Sequence, residues 1–510
     1  MSPSVGGRAG AREWAGLAVL AVPTVLLGLD ITVLYLALPE LSADLRPSAV
    51  QSLWIMDVYG FLIAGLLITM GTVGDRTGRR RLLMIGLGAF AVASVAAAYA
   101  PTSEALIAAR AALGVAGATL MPSTLALIRT MFTDVRQRSL AIGVWATMFA
   151  LGMALGPLVG GVLLERFWWG SVFLVAVPVV LVVLAAAPVV LPEYRDPEPG
   201  RPDPISVVLS LLTVLPWVYA VKHGAAEGPD AHALLTAAAG TLFAVLFVRR
   251  QNRMPDPLLD LRLFRVPAFA AALVILLVVL VGVGGAMLLV TQHLQFVEGY
   301  RPLVVGLWMG PAALAMFLAA VGAPLLARRI RPGVVVGGAS AVAAAGHLLL
   351  ATADGPGSVG PVVTGFALVY LGLGAVAALG TDLVVGSAPP NRAGSAAAMS
   401  ETAQELGFSL GVAVLGSVAG AVYRAAVRSH PDLGFDDATG TSLANAVSEG
   451  LSPAALDVAR QAQTAGLTVV GAGTGLVIAV LAVVALVTLR GVGAVGSEPT
   501  VPAPERSAAR

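Results

Sequence analysis

The chain has 510 residues, of which 57% are hydrophobic and only 12% charged, a balance outside the soluble globular range and that of an integral membrane protein. It has no cysteine, which excludes disulfides, thiolate metal sites and cysteine catalysis, and its formal charge of +2 gives no ground for a nucleic-acid partner. Lysine occurs once, at Lys222, followed by His223, so no G-x-x-x-x-G-K-[ST] phosphate loop exists and ATP bound through that motif cannot drive the protein.

Apolar runs long enough to cross a bilayer predict fourteen spans, at 16–39, 50–74, 81–100, 103–128, 139–164, 170–191, 204–222, 232–248, 268–292, 303–327, 333–352, 357–386, 395–422 and 467–489. The first run is too long for a signal-peptide h-region and no good cleavage site ends it, so it reads as a retained span. Arginine placement then sets the orientation. With the N-terminus inside, 23 of the 31 basic residues fall in inner segments. Only Arg46, Arg166, Lys222, Arg301, Arg424, Arg428 and Arg460 fall outside, with Arg110 inside a span. This bias places both termini in the cytoplasm and the chain in the cell's inner membrane, with an even number of spans.

The polar run PEYRDPEPGRPDP after span 6 and the basic run RRQNRMPDPLLDLRLFR after span 8 divide the chain as six plus two plus six. The predicted segments are an N-terminal cytoplasmic piece (1–15), a six-helix half (16–191), a linker (192–203), an inserted two-helix hairpin (204–248), a linker (249–267) and a second six-helix half (268–489). The second half includes a long outer loop (424–464), and a disordered tail (490–510) ends the chain. The fold class is all-α, integral to the membrane. Within the outer loop, Ser452 and Pro453 form an N-cap and N1 pair that predicts a short surface helix. GAPLLARRIRPGV after span 10 weakly echoes GTVGDRTGRRRLL after span 2, without its acid.

Candidate functional residues are those that cost most in hydrocarbon. Asp30 lies in the middle of span 1 and Arg110 within span 4. Lone buried charges of opposite sign lower each other's cost, so each is the other's expected partner, as a structural pair or as a proton-release device. Glu401 and Glu405 are four residues apart, on one face of span 13, where close carboxylates raise each other's proton affinity. Asp57 lies between Trp54 and Tyr59, toward the outer end of span 2.

Two motifs bear on motion. In GTVGDRTGRR, Gly71 and Gly78 permit a tight turn while Asp75, Arg76, Arg79 and Arg80 can pair across it and touch helix ends, a clasp able to hold the inner face closed. In span 5, GMALGPLVGG sets Gly152, Gly156 and Gly160 along one face, with Pro157 bending the rod and Gly161 closing the run, a tightly packed pivot.

On these residues the chain resembles the fourteen-span drug:proton antiporters of the major facilitator superfamily, over nearly its whole length. LDITVLYLALP (29–39) resembles the first-span motif of the branch that exports quaternary ammonium compounds, Gly71 to Arg80 the superfamily loop, and Gly152 to Gly161 the exporter-specific fifth-span motif. The resemblance implies proton-coupling roles for Asp30, Glu401, Glu405, Asp57 and Arg110. Met316 stands where some cation exporters carry an acid, which puts a divalent-cation preference in doubt.

The reading is a proton-coupled antiporter, not an enzyme, that exports lipophilic cations by alternating access. Its partners are small-molecule substrates, protons and the bilayer; it is expected to act as a monomer, with no cofactor and no metal. Asp30, Glu401 and Asp57, with Trp54, Tyr59, Trp145, Phe149 and Trp308, are the candidate cargo contacts, the aromatics through cation–π contacts worth about 0.5–2 kcal/mol each. The alternatives are an exporter of a self-made antibiotic or metabolite of neutral or anionic charge, and a proton-coupled uptake carrier.

Overall fold

The computed structural model describes residues 9–195, 203–228, 230–254, 257, 259, 261–388, 393–436 and 439–490. The described residues include fourteen helices long and apolar enough to cross a membrane. They are spans 1 (Ala11–Leu45), 2 (Ala49–Thr77), 3 (Arg79–Ala98), 4 (Ser103–Met131) and 5 (Val135–Leu164), with span 6 assembled from Ser171–Leu174 and Ala176–Val190. Span 7 is Pro204–Glu227 and span 8 Ala231–Arg253. Span 9 is Pro267–Gln292, prolonged by a π-helical turn at His293–Val297. Spans 10, 11 and 12 are Pro302–Ala327, Pro332–Leu350 and Val359–Gly386. Span 13 runs through Ala393–Leu410, a π turn at Gly411–Leu415 and Gly416–Arg428, and span 14 is Pro453–Thr488.

Helix starts follow local chemistry. Ser48 and Gln51 form a reciprocal capping box on span 2, while the side chains of Thr102, Asp134, Asp203, Asp230 and Ser452 accept from the backbone two or three residues into spans 4, 5, 7, 8 and 14. Ser452 and Pro453 do start a helix, as their chemistry predicts. That helix is not a separate surface element, however, because it continues unbroken through span 14 for 36 residues. Span 1 likewise extends past both predicted ends. Hydropathy marks where a helix meets hydrocarbon, whereas the hydrogen-bond ladder continues into the interface until a cap or a proline stops it. The predicted tail from 491 onward and most of the 192–203 linker lie outside the described residues.

Spans 1–6 are called the first half here and spans 9–14 the second. The hairpin of spans 7 and 8 lies beside their junction, with Val218 of span 7 packed against Phe61 of span 2 and Ala413 of span 13. Its base is tied by Arg250, which donates from Nη2 to Asp203 Oδ1 at 2.8 Å and from Nε to Oδ2 at 3.1 Å. Gln251 donates to Ser206 Oγ at 2.6 Å and accepts from Leu259 N–H at 3.0 Å. Two hydrogen bonds from Arg250, with help from Ser206, hold the Asp203 carboxyl at a pKa of about 2, below its ordinary value. On the other side of the hairpin, Leu234 and Leu235 are 68% and 70% exposed, as suits side chains facing lipid.

The first half is welded along spans 1 and 5. A Cβ on Gly28 would strike the Phe149 carbonyl, one on Gly152 the Val25 carbonyl, and one on Gly156 the Thr32 hydroxyl, which itself donates to Met153 O at 3.0 Å. Backbones this close leave room only for glycine.

The arginine-rich face of the bundle carries the start of span 1, the turn between spans 2 and 3, and the end of span 14. The contacts that join the halves run from mid-bundle toward the opposite face. Tyr35 meets Phe408 edge-on at 6.3 Å between ring centres. A Cβ on Gly60 would strike Ser409 Oγ, and one on Gly161 would lie 2.7 Å from Leu303 Cα. Gln295 Nε2 donates to Leu36 O at 3.1 Å, and Arg301 approaches Glu165 at 3.8 Å.

Candidate functional site: a buried ion pair at the junction of the halves

Asp30 is the buried acid of a largely apolar span 1, and span 4 presents Arg110 toward it. Arg110 Nη1 donates to Asp30 Oδ2 at 2.6 Å, with the two side chains 1% and 9% exposed. The guanidinium also donates from Nε to Ile55 O of span 2 at 3.1 Å. Its carbon lies 4.5 Å from the centre of the Tyr59 ring and 5.9 Å from that of Phe173. A cation in hydrocarbon is thereby supplied with an anion, a carbonyl and two π faces. The pairing expected from two lone charges is the one the fold makes.

Asp57, two residues before Tyr59, is 1% exposed, so span 2 carries it into the interior rather than leaving it at a solvated end. The Tyr59 hydroxyl is buried without a hydrogen-bond partner among the described residues. From the second half, span 13 brings Glu405, 6% exposed, against this wall, with its backbone carbonyl 3.9 Å from where a Gly60 Cβ would lie. Glu401, one turn away, is half-buried. Beside it Thr381 and Ser400 share a hydrogen bond of 2.9 Å, and Gln404 donates to Thr381 Oγ1 at 3.4 Å. Glu405 is therefore buried against span 2, which carries Asp57 and Tyr59. Among the described residues, no three histidine, aspartate or glutamate side chains converge as a metal ligand set.

The five candidate aromatics part company. Tyr59 is buried under Arg110. Trp145 is 5% exposed and donates to Thr124 Oγ1 at 3.0 Å, within the first half. Phe149 is half-buried against the core, and Trp54 packs in the small cluster around Phe61 and Val218. Trp308 is 40% exposed beside Leu307 at 59%, on a face that spans 5 and 12 do not cover. Sequence reasoning missed Tyr35, buried five residues after Asp30 and seated on Phe408, and Phe173 beside Arg110. Tyr35 lies in the same LDITVLYLALP run, but five residues put it about 140° round the helix from Asp30, so no spacing pointed to it, and none pointed to Phe173.

In the glycine-arginine turn, Arg79 and Arg80 make contacts within the first half and the start of the linker that follows it. Asp75 pairs with Arg79, whose Nη1 reaches Pro122 O at 3.5 Å and whose backbone N–H donates to Tyr194 O at 2.9 Å. Arg80 donates to Pro188 O at 3.3 Å and Leu191 O at 3.0 Å and lies 3.6 Å from Glu193. Gly78 holds φ at +106°, and a Cβ there would be 2.6 Å from Glu193 Oε1. Gly74 is packed under Arg79, Gly71 faces Pro122, and Arg76 is exposed. The fifth-span run faces two ways: Gly152, Gly156 and Gly160 meet span 1, whereas Pro157 and Gly161 meet span 10, where a Cβ on Gly306 would lie 2.5 Å from Pro157 O.

Residues 20–412 match the Major Facilitator Superfamily. The chain is 46% identical over 416 residues to the multidrug efflux pump LfrA of Mycolicibacterium smegmatis, covering 82% of each chain. It is 34% identical to the methyl viologen resistance protein SmvA of Salmonella typhimurium, over 92% of this chain and 97% of that one. It is 32% identical to the tetracenomycin C resistance and export protein of Streptomyces glaucescens, over 79% and 76%. Its fold matches that of a bacterial homologue of the human lysosomal transporter Spinster, with a TM-score of 0.65 at 15% identity, over 94% of this chain and 98% of that one. This chain belongs to the Major Facilitator Superfamily and is a multi-pass membrane transporter whose relatives are drug efflux pumps and antibiotic exporters.

Proposed function

We propose that the protein exports lipophilic cations from the cytoplasm in exchange for protons, the two halves alternately exposing Asp30, Asp57, Glu401 and Glu405. The observation that carries the reading is the Arg110–Asp30 pair, an acid placed deep in the bundle and held by a basic partner. In this conformer Asp30 is engaged by Arg110. A proton arriving on Asp30 removes its charge and with it the attraction that fixes the pair. A cationic cargo favours the bare carboxylate and so expels the proton, and competition for the acids is the coupling. The arginine-rich face is the cytoplasmic one, with both termini, and the protein works as a monomer. A relative named for methyl viologen resistance, methyl viologen being an aromatic dication, supports a cationic cargo.

The test is proton movement in proteoliposomes on addition of a cationic dye. Wild type should move protons when dye is added, Asp30→Asn should not, and Glu401→Gln and Glu405→Gln should each lower the rate. Retained coupling in Asp30→Asn removes that acid from the mechanism, and wild-type rates in both glutamate variants assign those residues to structure. A second reading, export of a neutral or anionic antibiotic with the acids serving protons alone, draws on the tetracenomycin C exporter among the relatives. Cargo of that kind, pumped at wild-type rate while cationic dyes are ignored, would favour it.

A further inference from the structure

The π-helical turn His293–Val297, at the end of span 9 on the face opposite the arginines, holds a second buried pair of ionisable side chains that the coupling scheme above does not use. His293 is 0% exposed, and its Nε2 lies 3.5 Å from Glu298 Oε1, whose side chain is 7% exposed. Neither ring nitrogen has a hydrogen bond among the described residues. The Glu298 carboxylate is fixed from its other side, accepting from Gly357 N–H at 2.9 and 3.0 Å in the loop between spans 11 and 12. Its own backbone N–H closes the turn by donating to His293 O at 3.0 Å. Between the two members of the pair lies Gln295, whose Nε2 donates to Leu36 O of span 1 across the junction of the halves. The turn that carries the pair is therefore one of the contacts by which the second half grips the first. π-helical turns need a specific reason to persist, and they recur at functional sites.

We propose that His293 and Glu298 are a proton-responsive positioning pair that latches the face opposite the arginines. The inference rests on the proton-coupled reading, in which that face meets the proton-rich side. Protonated from that side, His293 becomes the cation of a buried ion pair with Glu298, stiffens the π turn and holds Gln295 on Leu36, so the face stays shut while the cytoplasmic face opens. Neutral His293 loses that attraction, and the grip loosens for cargo release. Among the described residues, the other charges near the turn have partners: in the loop that holds Glu298, Asp354 accepts from Ser358 Oγ at 2.7 Å. On span 14, Arg460 donates to Phe296 O at 3.4 Å and pairs with Asp457 at 3.5 Å, and Arg301 before span 10 faces Glu165. The short helix Leu443–Ser448, which also packs on the turn, carries no charged side chain.

The absence of cysteine makes the test clean. Cysteines replacing the exposed Arg166 and Arg428, one in each half, are spin-labelled in lipid nanodiscs, and the distance across the face is measured by double electron–electron resonance between about pH 8 and pH 5.5. In the otherwise wild-type protein the short-distance population should rise about fivefold on acidification. His293→Gln and Glu298→Gln should each lose that rise, and Glu298→Asp should keep part of it. A wild-type protein that ignores pH, or a folded glutamine variant with an undiminished response, overturns the latch; should His293→Gln not fold, Glu298→Gln decides. Dye-driven proton movement in the wild type is scored separately. Its absence sinks the proton-coupled reading, whereas its presence with an undiminished pH response in the variants sinks only the latch.

Discussion

Removing Arg110 alone from the Arg110–Asp30 pair should be more costly than removing both charges. Arg110→Met leaves the Asp30 carboxylate, 9% exposed, with no counter-ion, a loss of about 3–5 kcal/mol for a buried pair. Asp30→Asn is milder. The amide oxygen can still accept from Arg110 Nη1, and Ile55 O and the Tyr59 ring remain, so about 1.5–3 kcal/mol of charged hydrogen bonding survives and the net cost falls to about 1–3 kcal/mol. In the double variant neither a bare anion nor an unpaired cation is left in the bundle. It should be more stable than Arg110→Met alone, with a coupling energy of about 2–4 kcal/mol. Equilibrium unfolding in mixed dodecyl sulfate micelles, followed by tryptophan fluorescence, supplies the three differences. Costs that add to within about 0.5 kcal/mol would refute the reasoning, because they would mean the two charges do not sense each other.

Two further predictions concern contacts outside the pair. Gly161→Leu puts a side chain 2.7–2.8 Å from Leu303 Cα and Pro302 O; it should weaken the closed arrangement of the face opposite the arginines by about 1–3 kcal/mol and slow dye efflux from cells, and an unchanged efflux rate refutes the seam. The Asp203 carboxyl, held at about 2 by Arg250, contributes stability that is present above the ordinary carboxylate range near 4 and lost as pH falls toward 2. Limited proteolysis at the base of the hairpin, just after span 8, should therefore accelerate across that window in wild type, and Arg250→Ala should shift the acceleration to higher pH.

What the amino-acid sequence reveals is set by which placements are costly. A run such as that of span 1 has no soluble alternative, and an acid or an arginine within such a run must find a partner, so Asp30 and Arg110 point to each other before any coordinates. The other ion pairs were not readable this way. Glu193 is one of several charges in a polar linker, and only the fold shows it capping Arg80. Asp203 and Arg250 are 47 residues apart, in segments that positive-inside bias explains equally well without pairing. Aromatic residues fare worst. Trp145, Tyr59 and Trp308 are alike in composition and span position, yet one is bonded within a half, one lies under Arg110 and one is on the surface, because the phase of a helix against its neighbours is fixed by packing that hydropathy does not encode. The glycines of span 5 showed that something approaches closely, but not that their run serves two partners, span 1 on one side and span 10 on the other.

That division of span 5 bears on how the halves can move. Gly152 and Gly156 lock span 1 through backbone contacts and the Thr32–Met153 hydrogen bond, and the Asp75–Arg79 and Arg80–Glu193 contacts tie spans 2, 3 and 6, so the first half is stiff on its own account. The junction with the second half uses the same kind of close approach and adds other contacts to it. Gly161 and Gly306 present bare backbone to the facing helix, Gly60 does the same toward Ser409, Tyr35 meets Phe408 edge-on, and Gln295 reaches across to Leu36 O with a single hydrogen bond. The buried Arg110–Asp30 pair lies within the first half, whereas Arg301 with Glu165, an ion pair that crosses the junction, is open to water at 80% and 30% exposure. A pair so exposed holds little, so charged contacts stiffen the first half far more than they tie it to the second.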